Sequence, residues 1–311
     1  MSDEIELTGL DGSNPLGFLA ALGTLRLLHC ASREPDIKMA WNQSGCTWRP
    51  TIVAASSLDA DTVVSKLFEA LGQGDNETAR HPFLAIGKNL SISPQEFAEH
   101  ARSCVGASSA HDRRWADYVS SFGTEVLVHN TLDRIKYTEF CFISGSGHQN
   151  YLDTIQKLLG CVKDGHLRET LFNNWTYSDE RLSMRWDPTD DRQHAYRWSA
   201  PTEEAPLTVW GANLLAAEGS TLYPTVPIAD GCPTTGFRRQ RRQTDFTWPI
   251  WQTPITIEIV RSLIAWAALL QDEVNATLLR HYGVVAVFRS RKIKIGEGAN
   301  FKWSFAPAEA V

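Results

Sequence analysis

"LTGLDGSNPLGFLAALGTLRLL", residues 7–28, constrains this chain more than any other stretch. Ser13 or Asn14 is placed to cap a helix, and Pro15 suits the first helical position. Leu16, Leu19, Leu22 and Leu25 then recur as an apolar stripe, which Phe18 and Leu28 widen. Gly17, Ala20, Ala21 and Gly23 are small. Glycine is unfavourable inside a helix, so two of them imply that another backbone comes close. Ahead of the helix, "IELTGL" alternates as a short strand does. The expected unit is strand, tight glycine turn, buried helix. A phosphate cradle would need G-x-G-x-x-G or G-x-x-x-x-G-K-[ST], and "GLDGSNPLG" has neither. A helix N-terminus can still hold an anion through its free N–H groups, but the pattern reads first as a packing motif.

Further elements follow from local signals. "LDADTVVSKLFEALGQG" predicts a helix from about Asp59 to Gly72. "SPQEFAEHARSCVG" carries a capping box, with Ser93, Pro94 and Glu96 in register. "HDRRWADYVSSFG" and "NYLDTIQKLLG" predict helices, and "KYTEFCFISGSG" alternates as a strand. Residues 173–204 lack periodicity and predict irregular structure with short strands. "APLTVWGANLLAAEGSTLYP" predicts a second helix of the opening type, and its "LAAEG" (Leu215–Gly219) echoes "LAALG" (Leu19–Gly23). "TPITIEIVRSLIAWAALLQ" predicts a helix from Thr253 and Pro254 that buries Ile255, Ile259, Leu263, Trp266 and Leu270. "GVVAVFRSRKIKIGEGANFKWSF" predicts a two-stranded hairpin. The fold class is therefore α+β: mixed helices and short antiparallel strands, with helical and hairpin elements at the C-terminal end.

With 311 residues the chain exceeds what one core usually organises. We expect an acidic α+β body over 1–204 and a basic helical and hairpin region over 205–311. Charge supports that asymmetry. Residues 232–311 hold 11 Lys/Arg and 6 Asp/Glu, a net of +5, so residues 1–231 carry −11 of the overall −6. A basic quarter on an acidic body suits contact with a polyanion. No apolar run is long enough to span a membrane, and "MSDEIEL" has no apolar leader, so a cytoplasmic protein is expected. Cys30, Cys46, Cys104, Cys141, Cys161 and Cys232 are scattered without metal spacing and read as reduced thiols. The eleven tryptophans imply large packed or stacking surfaces.

The densest chemical signal is "GFRRQRRQTDFTWPIW". Arg238, Arg239, Arg241 and Arg242 fall within five residues, with Gln240 and Gln243 interleaved and Phe237, Phe246, Trp248 and Trp251 flanking. Guanidinium groups grip phosphate bidentately, and Arg and Gln reach base edges. Aromatic faces stack on unpaired bases. Such crowded cations call for an anion, either nucleic acid or carboxylates of the body. Strand alternation puts Arg289 and Arg291 on one face of the later hairpin and Lys292 and Lys294 on the other. That pattern fits a surface tracking a nucleic-acid backbone, and it also fits a guarded edge strand.

Signals for catalysis are weak. His111-Asp112, with His81 upstream, resembles the HD pair of metal phosphohydrolases, but "HDRR" sets arginines beside the would-be ligands. Asp187, Asp190 and Asp191 in "WDPTDD" are turn residues first. "SGSGHQ" (144–149) lacks a following Lys. No G-x-S-x-G, H-E-x-x-H or kinase signature occurs. We expect no catalytic residue, no metal and no cofactor. The competing enzyme reading is a metal-dependent phosphohydrolase using His111 and Asp112, and a third reading is a purely protein-binding scaffold.

Two blocks carry a family likeness. "LTGLDGSNPLGFLAALGTLRLL" and "RWDPTDDRQHAYRW…APLTVWGANLLAAEGSTLYP" resemble the large subunit of type I-G (formerly I-U) CRISPR effectors, the Cascade complexes. The resemblance implies a non-catalytic subunit that contacts target double-stranded DNA at the flanking motif and the opened strands. Guide RNA would read the sequence by pairing. It also implies contacts with CRISPR backbone subunits and with the helicase–nuclease. The chain is short for such a subunit, so a small-subunit function would be absent or merged into its C-terminal helix.

Overall fold

The opening helix lies at the centre of the molecule. The computed structural model describes residues 3–31, 37–72, 82–109, 113–128, 133–142, 150–189, 207–228, 233–295 and 301–311. In chain order the elements begin with β1 (Asp3–Glu6), α1 (Pro15–Ala31), β2 (Lys38–Ser44), β3 (Thr47–Ala54), α2 (Ala60–Ala70), α3 (Pro94–Gly106) and α4 (Arg114–Phe122). Next come β4 (Gly123–Val128), β5 (Ile135–Tyr137), α5 (Tyr151–Cys161), α6 (Asp164–Phe172), β6 (Asp179–Glu180), β7 (Leu207–Thr208) and α7 (Trp210–Ser220). The chain closes with β8 (Phe237–Gln240), β9 (Gln243–Trp251), β10 (Ile255–Thr256), α8 (Ile257–Ile264), α9 (Ala276–His281), β11 (Val284–Ile295), β12 (Lys302–Phe305) and β13 (Glu309–Ala310). One antiparallel sheet runs β1-β3-β2-β10, and a second runs β12-β11-β9-β8 with β13 also on β11. The α+β class is as expected.

Every residue of α1 from Pro15 to Leu28 is buried, and so is α7 from Gly211 onward. The two helices cross where the sequence echoes. A Cβ on Gly23 would lie 1.8 Å from the Leu215 carbonyl oxygen, and one on Gly219 would lie 2.0 Å from that of Leu19. The contact is reciprocal: each glycine admits the carbonyl of the leucine four residues before the other. Close backbone approach is thus what the small residues provide.

The N-terminus of α1 is closed. Asn14 Oδ1 accepts from the backbone N–H groups of Leu16 (2.8 Å) and Gly17 (3.3 Å), and Pro15 has no N–H to offer. Asp11 Oδ1 accepts from the N–H groups of Ser13 and Trp48, and a Cβ on Gly17 would strike the Asp11 carbonyl at 2.5 Å. No seat for a phosphate is left, so the motif serves packing. Asp187 belongs to the same web. Its carboxylate accepts from Asn14 Nδ2 (3.0 Å), the Tyr177 hydroxyl (2.8 Å) and the Thr189 N–H (2.8 Å), which makes it structural.

Aromatic rings join α1 to both sheets. Phe18 stacks on Trp41 of β2 at 5.5 Å between centroids and meets Trp248 and Trp251 of β9. Trp248 Nε1 donates to the Gly12 carbonyl and Trp251 Nε1 to that of Met39, both at 2.8 Å. These tryptophans are core, not stacking platforms. One hydrophobic cluster takes in Leu19, Phe97, Leu215 and Phe246 alike.

Several expected elements differ. The strand expected over "IELTGL" is β1, Asp3–Glu6, after which Thr8 and Gly9 turn. Ile255 and Thr256 pair with Met39 and Lys38 as β10, so the helix expected from Thr253 begins only at Ile257 and ends at Ile264. Its buried face is Ile257, Val260 and Ile264, leaving Ile259 exposed, and extended backbone at Trp266 separates it from a short 3-10 turn, Ala267–Leu270. Of the strand expected over "KYTEFCFISGSG", the described residues show only Ile135–Tyr137, after which Glu139–Phe140 turn; residues 143–147 lie outside the described residues. The capping box at Ser93 and Glu96 and the Asp59 cap of α2 are both present.

A buried ionic cluster ties four helices together. Glu218 of α7 is fully buried and pairs with Arg26 of α1, with Arg114 Nη2 (2.6 Å) and with the Tyr118 hydroxyl (2.6 Å) of α4. Arg261 of α8 joins through Asp117 Oδ2 at 2.5 Å. Burial disfavours the Glu218 carboxylate, yet Arg114 and Arg26 override it and hold its pKa at about 2.

Candidate nucleic-acid interface

The arginine-rich segment is a hairpin. Gln240 pairs with Gln243, so Arg241 and Arg242 form a two-residue turn between β8 and β9. Alternation sorts the cations onto two faces, and the sorting of Arg289 and Arg291 against Lys292 and Lys294 follows the expected pattern.

On one face Arg238, Arg289 and Arg291 gather around two carboxylates. Arg238 Nη2 lies 3.4 Å from Asp245 Oδ2, its Nη1 pairs with Asp272, and Arg291 Nε lies 3.3 Å from Asp245 Oδ1. Gln240 Nε2 donates to Asp272 at 2.5 Å. Arg289 donates to Thr247 Oγ1 (3.1 Å) and to the Gln271 carbonyl (2.7 Å). On the other face Glu139 accepts from Arg239 Nη2 (2.7 Å) and Lys292 Nζ (3.1 Å). Burial opposes ionisation of Glu139, but Lys292 and Arg239 overcome it and hold its carboxyl below the ordinary range. Lys294 caps the Phe301 ring at 4.0 Å. Much of the basic segment is thus neutralised within the fold. Arg239 and Arg291 remain 62% and 52% exposed despite their partners.

The tip is different. Arg241 and Arg242 are exposed and have no hydrogen-bond or ion-pair partner among the described residues. Arg241 also holds a φ of 51°, in the left-handed region. Arg242 does not share it. A two-residue turn with only its first position at positive φ favours glycine there, so arginine stands where local preference asks for another residue. Such mismatches gather at functional positions. Arg241→Gly is expected to leave stability unchanged or raise it by up to about 1 kcal/mol, while lowering nucleic-acid affinity. Denaturant melts and binding titrations check both halves; a clear loss of stability would mean that the arginine side chain holds the turn.

Hollows flank the tip. One, of about 410 Å³, lies between β5 and the hairpin and is lined by Lys136, Tyr137, Glu139, Arg239, Arg241, Arg242, Lys292 and Trp303. The other, of about 760 Å³, is lined by polar side chains, with Gln240, Gln243 and Asp272 beside the same two arginines. Lys136, Tyr137 and Trp303 were not singled out from the sequence, because only the fold brings β5 and β12 to the hairpin.

No family model and no curated protein matches this chain. Among the described residues, no group of three or more His, Cys, Asp and Glu side chains could hold a metal ion. His81, His111, Asp112, Asp190, Asp191, Cys232 and the 144–149 segment lie outside the described residues. The arginine after "HDR" is structural, since Arg114 reaches Glu218 and the Ala70 carbonyl. Cys30, Cys46, Cys104, Cys141 and Cys161 are in no disulfide among the described residues, and burial pushes the thiol of Cys104 up to about 11. No helix among the described residues is long and apolar enough to cross a membrane.

Proposed function

We propose that this chain is a non-catalytic, DNA-contacting subunit of an RNA-guided type I CRISPR surveillance complex, acting in the cytoplasm. Its partners in this reading are the backbone subunits, guide RNA, target double-stranded DNA and the helicase–nuclease. The supporting observation is the hairpin tip, where Arg241 and Arg242 project without carboxylate partners among the described residues. An unpaired arginine pair on a net-basic quarter of the chain is a phosphate grip. Arg239 and Arg291, half-exposed beside it, extend the surface, and Gln243 supplies a group able to reach a base edge. Arg238, Arg289 and Lys292 shape the hairpin from beneath. The family likeness of the two sequence blocks supplies the RNA-guided context.

The test is DNA affinity of the assembled complex at several salt concentrations. Each phosphate contact adds about 0.9 to the slope of log affinity against log salt. Arg241→Ala with Arg242→Ala is expected to flatten that slope by roughly 2. Arg238→Ala is expected to lower stability instead, by leaving Asp245 and Asp272 short of a cation. Co-purification with tagged backbone subunits and guide RNA tests the complex. A slope unchanged in the double variant would assign the tip to protein contact.

A further inference from the structure

We propose that the groove between β5 and the hairpin seats an unpaired nucleotide, with its base against Tyr137 and Trp303 and its phosphate on Arg241 and Arg242. This rests on the nucleic-acid reading of the hairpin and adds to it the form of strand and the residues that meet the base. Four observations carry it. The groove, of about 410 Å³, falls in the size range of small-ligand sites, and no duplex enters a space of that size. Two half-buried rings line it, Tyr137 from β5 and Trp303 from β12, each presenting part of its surface. Lys136, Arg239 and the two tip arginines surround those rings with positive charge. The groove's one carboxylate, Glu139, is already satisfied by Arg239 and Lys292, so it does not set an unbalanced negative charge against a phosphate.

The combination of aromatic faces and cations is what single strands require. Every base has a face that stacks, and the arginines follow the backbone whatever the sequence. The polar hollow on the far side of the tip lacks rings, so the two flanks of the hairpin are unequal. The base-accepting side is the Tyr137 side.

The experiment uses the full chain with three fluorescent probes: a thymidine oligonucleotide of about ten residues, an oligonucleotide of the same length with every base removed, and a short mixed-sequence duplex. Wild type is expected to bind the thymidine strand roughly 5- to 150-fold more tightly than the abasic strand, the range for stacking one base. Tyr137→Leu and Trp303→Leu should each erode that preference, while Tyr137→Phe and Trp303→Phe keep most of it. Duplex affinity and its salt slope should stay as in wild type. Equal binding of thymidine and abasic strands by wild type overturns the proposal without using any variant. If duplex binding then still depends on Arg241 and Arg242, the interface reading survives alone. Equal losses on strand and duplex in the leucine variants would make both rings scaffold and overturn it too. Binding to none of the probes removes the interface and this groove together.

Discussion

Glu218→Gln is expected to destabilise the protein by about 3–5 kcal/mol, although the two side chains have nearly the same shape. The carboxylate is fully buried and answers both Arg26 and Arg114. Glutamine keeps the volume and one acceptor but removes the charge. Two guanidinium groups, 1% and 12% exposed, then lose the carboxylate they share, and Arg26 keeps only the more distant Asp117 at 3.8 Å. At roughly 2 °C per kcal/mol for a chain of this size, the melting temperature should fall by roughly 6–10 °C. Arg168→Ala provides the contrast. Its partner Asp61 is 84% exposed, and breaking that pair should change stability by less than about 1 kcal/mol. The same cluster sets an acid limit. The folded pKa of Glu218 is about 2 against an ordinary 4.5, so its contribution is complete above about 4.5 and is lost as pH falls towards 2. Chemical denaturation at pH 7 and pH 3 should show a steeper acid loss for wild type than for Glu218→Gln. Equal stability of the two proteins at pH 7 would show that water reaches the cluster.

Gly23→Ala is expected to cost more than about 3 kcal/mol, a large penalty for one methyl group. Overpacking usually costs about 1–3 kcal/mol because side chains can turn aside. Here the added carbon would lie 1.8 Å from a backbone carbonyl, and α1 and α7 must move apart as bodies. Gly219→Ala should behave alike, since its carbon would meet the Leu19 carbonyl at 2.0 Å. Gly160→Ala in α5 is the control. Nothing lies within 4 Å of its added carbon, so alanine should stabilise by about 0.5–1 kcal/mol. Comparable melting temperatures for Gly23→Ala and wild type would refute the close crossing.

What was legible in the sequence was local. Asn14 with Pro15, Asp59, and the Ser93–Glu96 box mark helix starts through bonds spanning two or three residues. The alternation of Arg289, Arg291, Lys292 and Lys294 sorted their faces because strand geometry is strictly periodic. The start of α8 was hidden because Ile255 and Thr256 answer to β2, more than two hundred residues earlier in the chain. The candidate site was half legible. The arginines were visible, but nothing local says that Glu139 and Asp272 neutralise Arg239 and Arg238 while Arg241 and Arg242 have no ion-pair partner among the described residues. Tyr137 and Trp303 had no signal, since each is an ordinary aromatic until the fold places it beside the tip. The echo of "LAALG" and "LAAEG" was readable as letters; its meaning is a crossing, which needs both helices.

The crossing has a consequence for how the chain comes off the ribosome. Helix α1 is sheathed by neighbours from Pro15 to Leu28, yet the backbone that fits against Gly23 belongs to Leu215. At ordinary synthesis rates that stretch waits roughly 10–40 s before its mate is made. Throughout that interval β2 and α2 are on hand to cover part of the helix, but its flat, glycine-notched side still lacks α7. A fragment ending before α7 should aggregate when expressed alone and become soluble when residues 205–311 are supplied on a second chain.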